Sequence, residues 1–130
     1  MRRAMGVRDL RVWDAARRLA LEVRRAADAA RGVGDGELWS QARRAADSVG
    51  ANIAEGCGRP TPADRRRFFA IGVASLRETQ HHLRTCYDYE LLSEQDYQRL
   101  AGLAAVTRRM LEALSNRISA GAEARRAVKE

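Results

Sequence analysis

The two prolines of this chain, Pro60 and Pro62, fall in one short stretch. Proline breaks the interior of a helix, because it lacks a backbone N–H and clashes with the preceding turn. The rest of the 130-residue chain is therefore free to be helical. No segment shows the alternation of apolar and polar residues that is typical of a half-buried strand. We therefore expect an all-α protein, and the length suits a single domain.

Apolar residues recur at steps of three and four in four segments, which predicts four amphipathic helices. The first is predicted from Asp9, which can cap it, to Ala30, with glycines at 32 and 34 ending it. The second is predicted from Gly36 to Glu55.

The two later helices have clear start signals. Thr61 can cap the third helix, Pro62 suits its first position, and Asp64 suits the positive end of the helix dipole. The fourth is predicted to start at Ser93, with Asp96 completing a near capping box.

Short connections between four helices place neighbours antiparallel. The predicted fold is thus an up-down-up-down antiparallel four-helix bundle over residues 9–118. We expect residues 1–8 to be a flexible N-terminus and residues 119–130 to be a mobile basic tail.

Composition limits the environment and the partners of the chain. No apolar run reaches the ~20 residues that a membrane span needs, and no signal peptide is apparent. Cys57 and Cys86 do not form a disulfide framework, so a cytoplasmic protein is expected. The net charge of +7 favours an anionic partner, nucleic acid first. Of the 24 basic residues only Lys129 is lysine, which can reflect genome composition, so the charge surplus is the better evidence.

Polar side chains also recur at helical spacing between residues 41 and 59. If the helix persists to Arg59, they form one stripe, rotated by roughly 100° from the apolar line. A stripe beside the core predicts a polar contact with another helix or another subunit. We call it the polar stripe, and its members are Gln41, Arg44, Ser48, Asn52, Glu55 and Arg59.

Several motifs resemble one protein family in order and spacing. They are Asp9-Leu10-Arg11-Val12-Trp13, Gln41-Ala42-Arg43-Arg44-Ala45, Asn52-Ile53-Ala54-Glu55-Gly56 with Gly58-Arg59, and Ser75-Leu76-Arg77-Glu78. Over residues 9–118 the chain resembles the four-helix bundle proteins of the 23S rRNA intervening-sequence family. Val49 and Ala74 depart from the residues common in that family, but these are changes on the scale of packing.

The family is similar to an accessory protein of diversity-generating retroelements, a pentameric barrel thought to bind nucleic acid and a reverse transcriptase. The resemblance therefore implies a homo-oligomer, with a pentamer favoured, and a nucleic-acid partner. It also implies a possible protein partner such as a reverse transcriptase.

Arginines are the candidate phosphate ligands, and the alternative is a solvated run of charge. The candidates are Arg43, Arg44, Arg59, Arg65, Arg66 and Arg67. A second set is predicted to be structural or to lie at an interface: Gln41, Ser48, Asn52, Glu55 and Glu78. In the structural interpretation, Glu55 pairs with Arg44 or Arg59, and Asn52 caps a helix or ties helix ends.

Catalytic and metal sites are not expected. Ser75, Glu78 and His82 share a helix face, but one helix rarely aims three such groups at one substrate atom. His82 and Cys86 also share a face, yet no Cys-x-x-Cys pair accompanies them. The tryptophans at 13 and 39 are expected in the core or an interface, with base stacking as the alternative.

Two functions follow from the sequence. The first is a non-enzymatic, oligomeric bundle without cofactor that binds RNA or DNA phosphates through arginines. The alternative is a protein–protein interaction or scaffold module that does not bind nucleic acid directly.

Overall fold

The computed structural model describes residue 6, residues 10–30 and residues 36–129 of the chain. Within these ranges it contains four helices and no strand. The helices are α1 (Arg11–Ala29), α2 (Gly36–Cys57), α3 (Pro62–Asp88) and α4 (Glu94–Lys129). The predicted all-α class is confirmed.

The helices form a ring in which each packs against two others. Both α1 and α3 contact α2 and α4, while the described residues show no packing between the diagonal pairs. Neighbours run antiparallel: Gly56 near the end of α2 meets Phe69 near the start of α3, and Glu22 of α1 pairs with Arg99 of α4. This is the predicted up-down bundle.

The core consists of aliphatic side chains together with the aromatic rings of Phe69 and Trp39. Phe69, Ile53, Leu76 and Leu111 are among the fully buried side chains. Burying a side chain of this size contributes roughly 1.5–3 kcal/mol. Small residues line the contacts between them and let the helices approach closely: Ala16, Ala42, Ala46 and Ala104.

Glycine allows the closest contacts between α3 and its neighbours. A Cβ atom on Gly56 would lie 2.6 Å from Cε1 of Phe69, and one on Gly72 would lie 2.9 Å from Cδ2 of Leu111. Real Cβ atoms are essentially never found below 3.0 Å from such atoms. The absence of a side chain at these two positions therefore sets the spacing of α3 against α2 and α4.

Both predicted start signals are confirmed. Thr61 Oγ1 accepts a hydrogen bond from the backbone N–H of Asp64 at 3.2 Å, and Pro62 is the first residue of α3. Ser93 Oγ accepts one from the N–H of Asp96 at 3.1 Å, directly before α4. The predicted cap Asp9 and the glycines at 32 and 34 lie outside the described residues.

The fourth helix is longer than the sequence suggested. We expected it to end near Ile118, and instead it continues to Lys129. The added segment is rich in alanine, the strongest helix former, and contains no proline. Its Gly121 costs about 1 kcal/mol of helix propensity, which those alanines offset. Residues 119–129 are thus helical, and the mobility of this segment stays a prediction.

Candidate nucleic-acid interface

The middle of the polar stripe lies between α2 and α3. The hydroxyl oxygens of Ser48 and Ser75 are 2.8 Å apart and share a hydrogen bond. Asn52 Nδ2 donates to the carbonyl oxygen of Ser48 at 2.8 Å and to its hydroxyl at 3.0 Å. Ser75 is buried, so its hydroxyl requires such a partner. Here the stripe makes a polar contact with α3 of the same chain.

The side chains at the two ends of the polar stripe have partners within α2 or just after it. Gln41 Nε2 donates to Glu37 Oε1 at 3.3 Å. At the other end, Arg59 Nη2 lies 3.0 Å from Glu55 Oε1, although α2 itself ends at Cys57. Glu55 thus makes one of the two ion pairs that the structural interpretation allows, and its role stays a prediction. On α3, Glu78 Oε1 lies 3.3 Å from Nε2 of the buried His82.

Three of the six candidate arginines build the corner between α2 and α3. Asp64 lies 3.7 Å from Arg59 Nε and 3.1 Å from Arg67 Nη2. The same two guanidinium groups lie 4.6 Å and 4.5 Å from the centre of the Phe68 ring, at cation–π distance. Arg65 Nε donates to the carbonyl oxygen of Arg59 at 2.9 Å. These arginines hold the turn into α3, and Arg59 and Arg67 have carboxylate partners.

Arg43 and Arg44 lie elsewhere. They belong to the first half of α2, where Arg44 Nη2 donates to Ser40 Oγ at 3.0 Å and Arg43 is half-buried. The 13 residues from Arg44 to the end of α2 at Cys57 span about 20 Å at 1.5 Å per residue. The structure therefore divides the six candidates into two separate groups and does not bring them together on one surface.

Antiparallel packing gathers positive charge at one end of the bundle. There the starts of α1 and α3 meet the ends of α2 and α4, and we call this the basic end. Two arginines of this end, Arg11 and Arg117, line one depression between α1 and α4. The arginines of the basic end are Arg11, Arg59, Arg65, Arg66, Arg67, Arg117, Arg125 and Arg126.

At the opposite end of the bundle, which we call the acidic end, several arginines are paired with carboxylates. Arg99 Nη1 lies 2.6 Å from Glu22 Oε2, and that hydrogen bond is the main reason that the pKa of Glu22 lies below its usual value. Arg84 pairs with Asp88 at 3.0 Å. The carboxylates of this end are Glu22, Asp28, Glu37, Asp88, Glu90, Glu94 and Asp96.

Three of the arginines of the basic end line one recess. Arg66 of α3 and Arg125 and Arg126 of α4 line a recess of about 650 Å³, and no acidic residue is among the described residues that line it. None of the three lies within 4.0 Å of a carboxylate of the described residues. The remaining walls come from Thr61, Pro62, Ala63, Ala122, Ala124 and Val128. We call this feature the arginine recess.

Comparison with known proteins identifies the family. The 23S rRNA-intervening sequence protein family matches residues 8–113. The chain belongs to this family. A crystal structure at 1.70 Å of a protein of unknown function from the S23 ribosomal protein family of Bacteroides thetaiotaomicron VPI-5482 has the same fold, with a TM-score of 0.76 at 19% identity. That match covers 80% of this chain and 97% of the other. No curated protein matches the sequence.

Sequence reasoning missed part of the arginine recess. Arg125 and Arg126 fell in a segment that we expected to be a tail, so their position opposite Arg66 was not foreseen. The continuous alanine-rich composition after Ile118 was the available signal, because it favours extension of the helix.

The remaining candidate groups are occupied by structural contacts. Ser75 is hydrogen-bonded to Ser48, and the hydroxyl of Ser48 also accepts a hydrogen bond from Asn52. Trp39 is buried. Trp13 is half-buried, with the guanidinium of Arg17 4.9 Å from its ring centre. Among the described residues, no group of three His, Cys, Asp or Glu side chains could hold a metal ion. No described helix is both long and apolar enough to cross a bilayer.

Proposed function

We propose that this member of the family is a non-enzymatic, oligomeric helical bundle that binds nucleic acid through phosphate contacts at the basic end. The observation that supports it most is the arginine recess. Arg66, Arg125 and Arg126 line one recess, and the described part of the chain places no carboxylate among its lining residues. An anion that binds among these three positive charges reduces the electrostatic repulsion between them.

The start of α3 adds to the attraction. The first turn of a helix carries the positive end of the helix dipole. Pro62 begins α3 at the wall of the arginine recess. A guanidinium group can donate two parallel hydrogen bonds to one phosphate. The description of the family refers to an intervening sequence of 23S rRNA. RNA is therefore the first ligand to test.

Oligomerisation would strengthen such binding. Several weak phosphate contacts act together when subunits are joined, because the later contacts form at a high effective concentration. A groove of about 510 Å³ between α1 and α2 offers a surface for a second copy. Small residues such as Gly50 and Ala51 line it, and Leu21 at the same groove is 47% exposed. The resemblance to a pentameric barrel favours five subunits.

The test is binding of fluorescently labelled RNA and DNA across a salt series. Affinity is expected to fall linearly on a log–log plot, by about 0.7 to 0.9 per phosphate contact. The triple variant R66A/R125A/R126A is expected to weaken binding and flatten the slope. The matched control R18A/R77A/R109A removes three exposed arginines that line neither the recess nor the α1–α2 groove. Absence of binding at low salt, or equal losses in both triple variants, would contradict the proposal.

A scaffold module without nucleic-acid binding is the alternative, and the same α1–α2 groove favours it. A protein partner in that groove is expected to survive nuclease treatment and high salt. Light scattering of the purified protein with and without nuclease separates the two functions, because it reports the subunit number and any bound nucleic acid together.

A further inference from the structure

We infer that the arginine recess holds an unpaired nucleotide, so that the protein binds single-stranded nucleic acid in preference to a duplex. This inference rests on the proposed function. It adds the class of ligand: an exposed base together with its phosphate.

The walls of the recess are apolar between the charges. Pro62 and Ala63 at the start of α3 face Ala122 and Val128 near the end of α4. Val128 is 87% exposed, the largest exposed fraction among the big hydrophobic side chains of the described residues. A phosphate alone gains nothing from such a wall. A base does, because its face is apolar and its burial removes both surfaces from water.

The arginines can contact a base as well as a phosphate. A guanidinium group is planar and stacks on aromatic rings, while its edge donates to phosphate oxygens. Arg66 lies on one helix and Arg125 and Arg126 lie on another, so a nucleotide between them can meet charge on two sides. The volume of about 650 Å³ falls in the roughly 300–1,000 Å³ range of small-ligand pockets.

A duplex cannot use the recess in the same way. Its bases are paired and stacked, so only their edges are accessible from the grooves. A duplex would reach the guanidinium groups through its phosphates and leave Val128 and Pro62 in water. The apolar wall therefore discriminates between the two forms, while the charges attract both.

The test compares four labelled probes with the full chain at one low salt concentration. The probes are single-stranded RNA, single-stranded DNA, duplex DNA and an abasic DNA strand, matched in the number of phosphates. Both single strands with bases are expected to bind about tenfold more tightly than the abasic strand and the duplex. RNA and DNA share the base and phosphate chemistry. A difference in affinity between the two single strands indicates which of them is the natural ligand.

Two valine variants separate base contact from folding. Val128→Ser is expected to remove most of the tenfold preference and to leave the salt dependence unchanged. Val106→Ser is the matched control, since Val106 is also on α4 and 45% exposed but does not line the recess. It is expected to keep the preference.

The outcomes distinguish this inference from the proposed function. Equal affinity for all four probes, with a normal salt dependence, would overturn the inference and leave phosphate binding intact. A preference for single strands that Val128→Ser does not change would also overturn it, because the base would then bind elsewhere. Absence of binding by every probe would overturn both.

Discussion

Adding one methyl group at Gly56 is expected to destabilise the bundle. A Cβ atom there would lie 2.6 Å and 2.9 Å from two atoms of the Phe69 ring and 3.2 Å from the carbonyl oxygen of Arg65. Phe69 is fully buried, and a backbone oxygen cannot move without its helix. Overpacking of this kind costs roughly 1–3 kcal/mol.

The gain in helix propensity does not cancel that cost. Replacing glycine by alanine in a helix interior contributes about 1 kcal/mol, but α2 ends one residue after Gly56, so the gain there is smaller. The expected net change for Gly56→Ala is a loss of about 1–2 kcal/mol in the free energy of unfolding.

Two other glycines provide controls. No atom lies within 4 Å of a Cβ built on Gly102, which is exposed on α4, so Gly102→Ala is expected to stabilise by about 0.5–1 kcal/mol. At Gly72 the Cβ would meet the flexible end of Leu111 at 2.9 Å. The change in the free energy of unfolding for Gly72→Ala is therefore expected to lie between those for Gly56→Ala and Gly102→Ala.

Thermal unfolding followed by circular dichroism, at equal protein concentrations, measures the three effects. With an unfolding entropy of about 2.1 cal/mol/K per residue, 1 kcal/mol corresponds to about 4 °C for a chain of this length. Gly56→Ala is expected to lower Tm by about 4–8 °C, and Gly102→Ala to raise it by about 2–4 °C. If Gly56→Ala raised Tm as much as Gly102→Ala, the close approach of α2 and α3 would be refuted.

Three further outcomes are expected from local contacts. Thr61→Ala removes the cap of α3 and is expected to cost about 1 kcal/mol, or about 4 °C in Tm; an unchanged Tm would contradict the capping role. The pKa of Glu22 is lowered by its hydrogen bond from Arg99, so the stability that it contributes is complete above the carboxyl's ordinary pKa and is lost as the pH falls through the lowered value. Denaturant titrations should therefore show wild type and Glu22→Gln differing at neutral pH and converging in acid, and a constant difference would exclude this linkage. Cys57 and Cys86 are buried, and burial raises the pKa of the Cys57 thiol, so a thiol reagent is expected to label them quickly only after unfolding.

Signals that depend on neighbouring residues in the chain predicted the structure well. The cap at Thr61 and the proline after it fix the start of α3 through bonds that span only three residues. Arg59 was one of two partners predicted for Glu55, and it forms the ion pair, which is a contact between positions four apart.

Contacts between helices were not available from the sequence. The hydroxyl of Ser48 meets that of Ser75, 27 positions later, and nothing in the local pattern selects that partner. The arrangement of the arginines has the same origin. Antiparallel packing brings Arg66 to the end of α4, whereas Arg43, on the first half of α2, lies far from it.

The most direct test of the central claim is to map which arginines bound nucleic acid protects from chemical modification. Phenylglyoxal labelling of the full chain, with and without a single-stranded RNA, can be read at each arginine by mass spectrometry. Phosphate binding at the basic end predicts strong protection of Arg66, Arg125 and Arg126 and little change at Arg18 and Arg77. Protection confined to those two reference positions, or equal at all five, would contradict it.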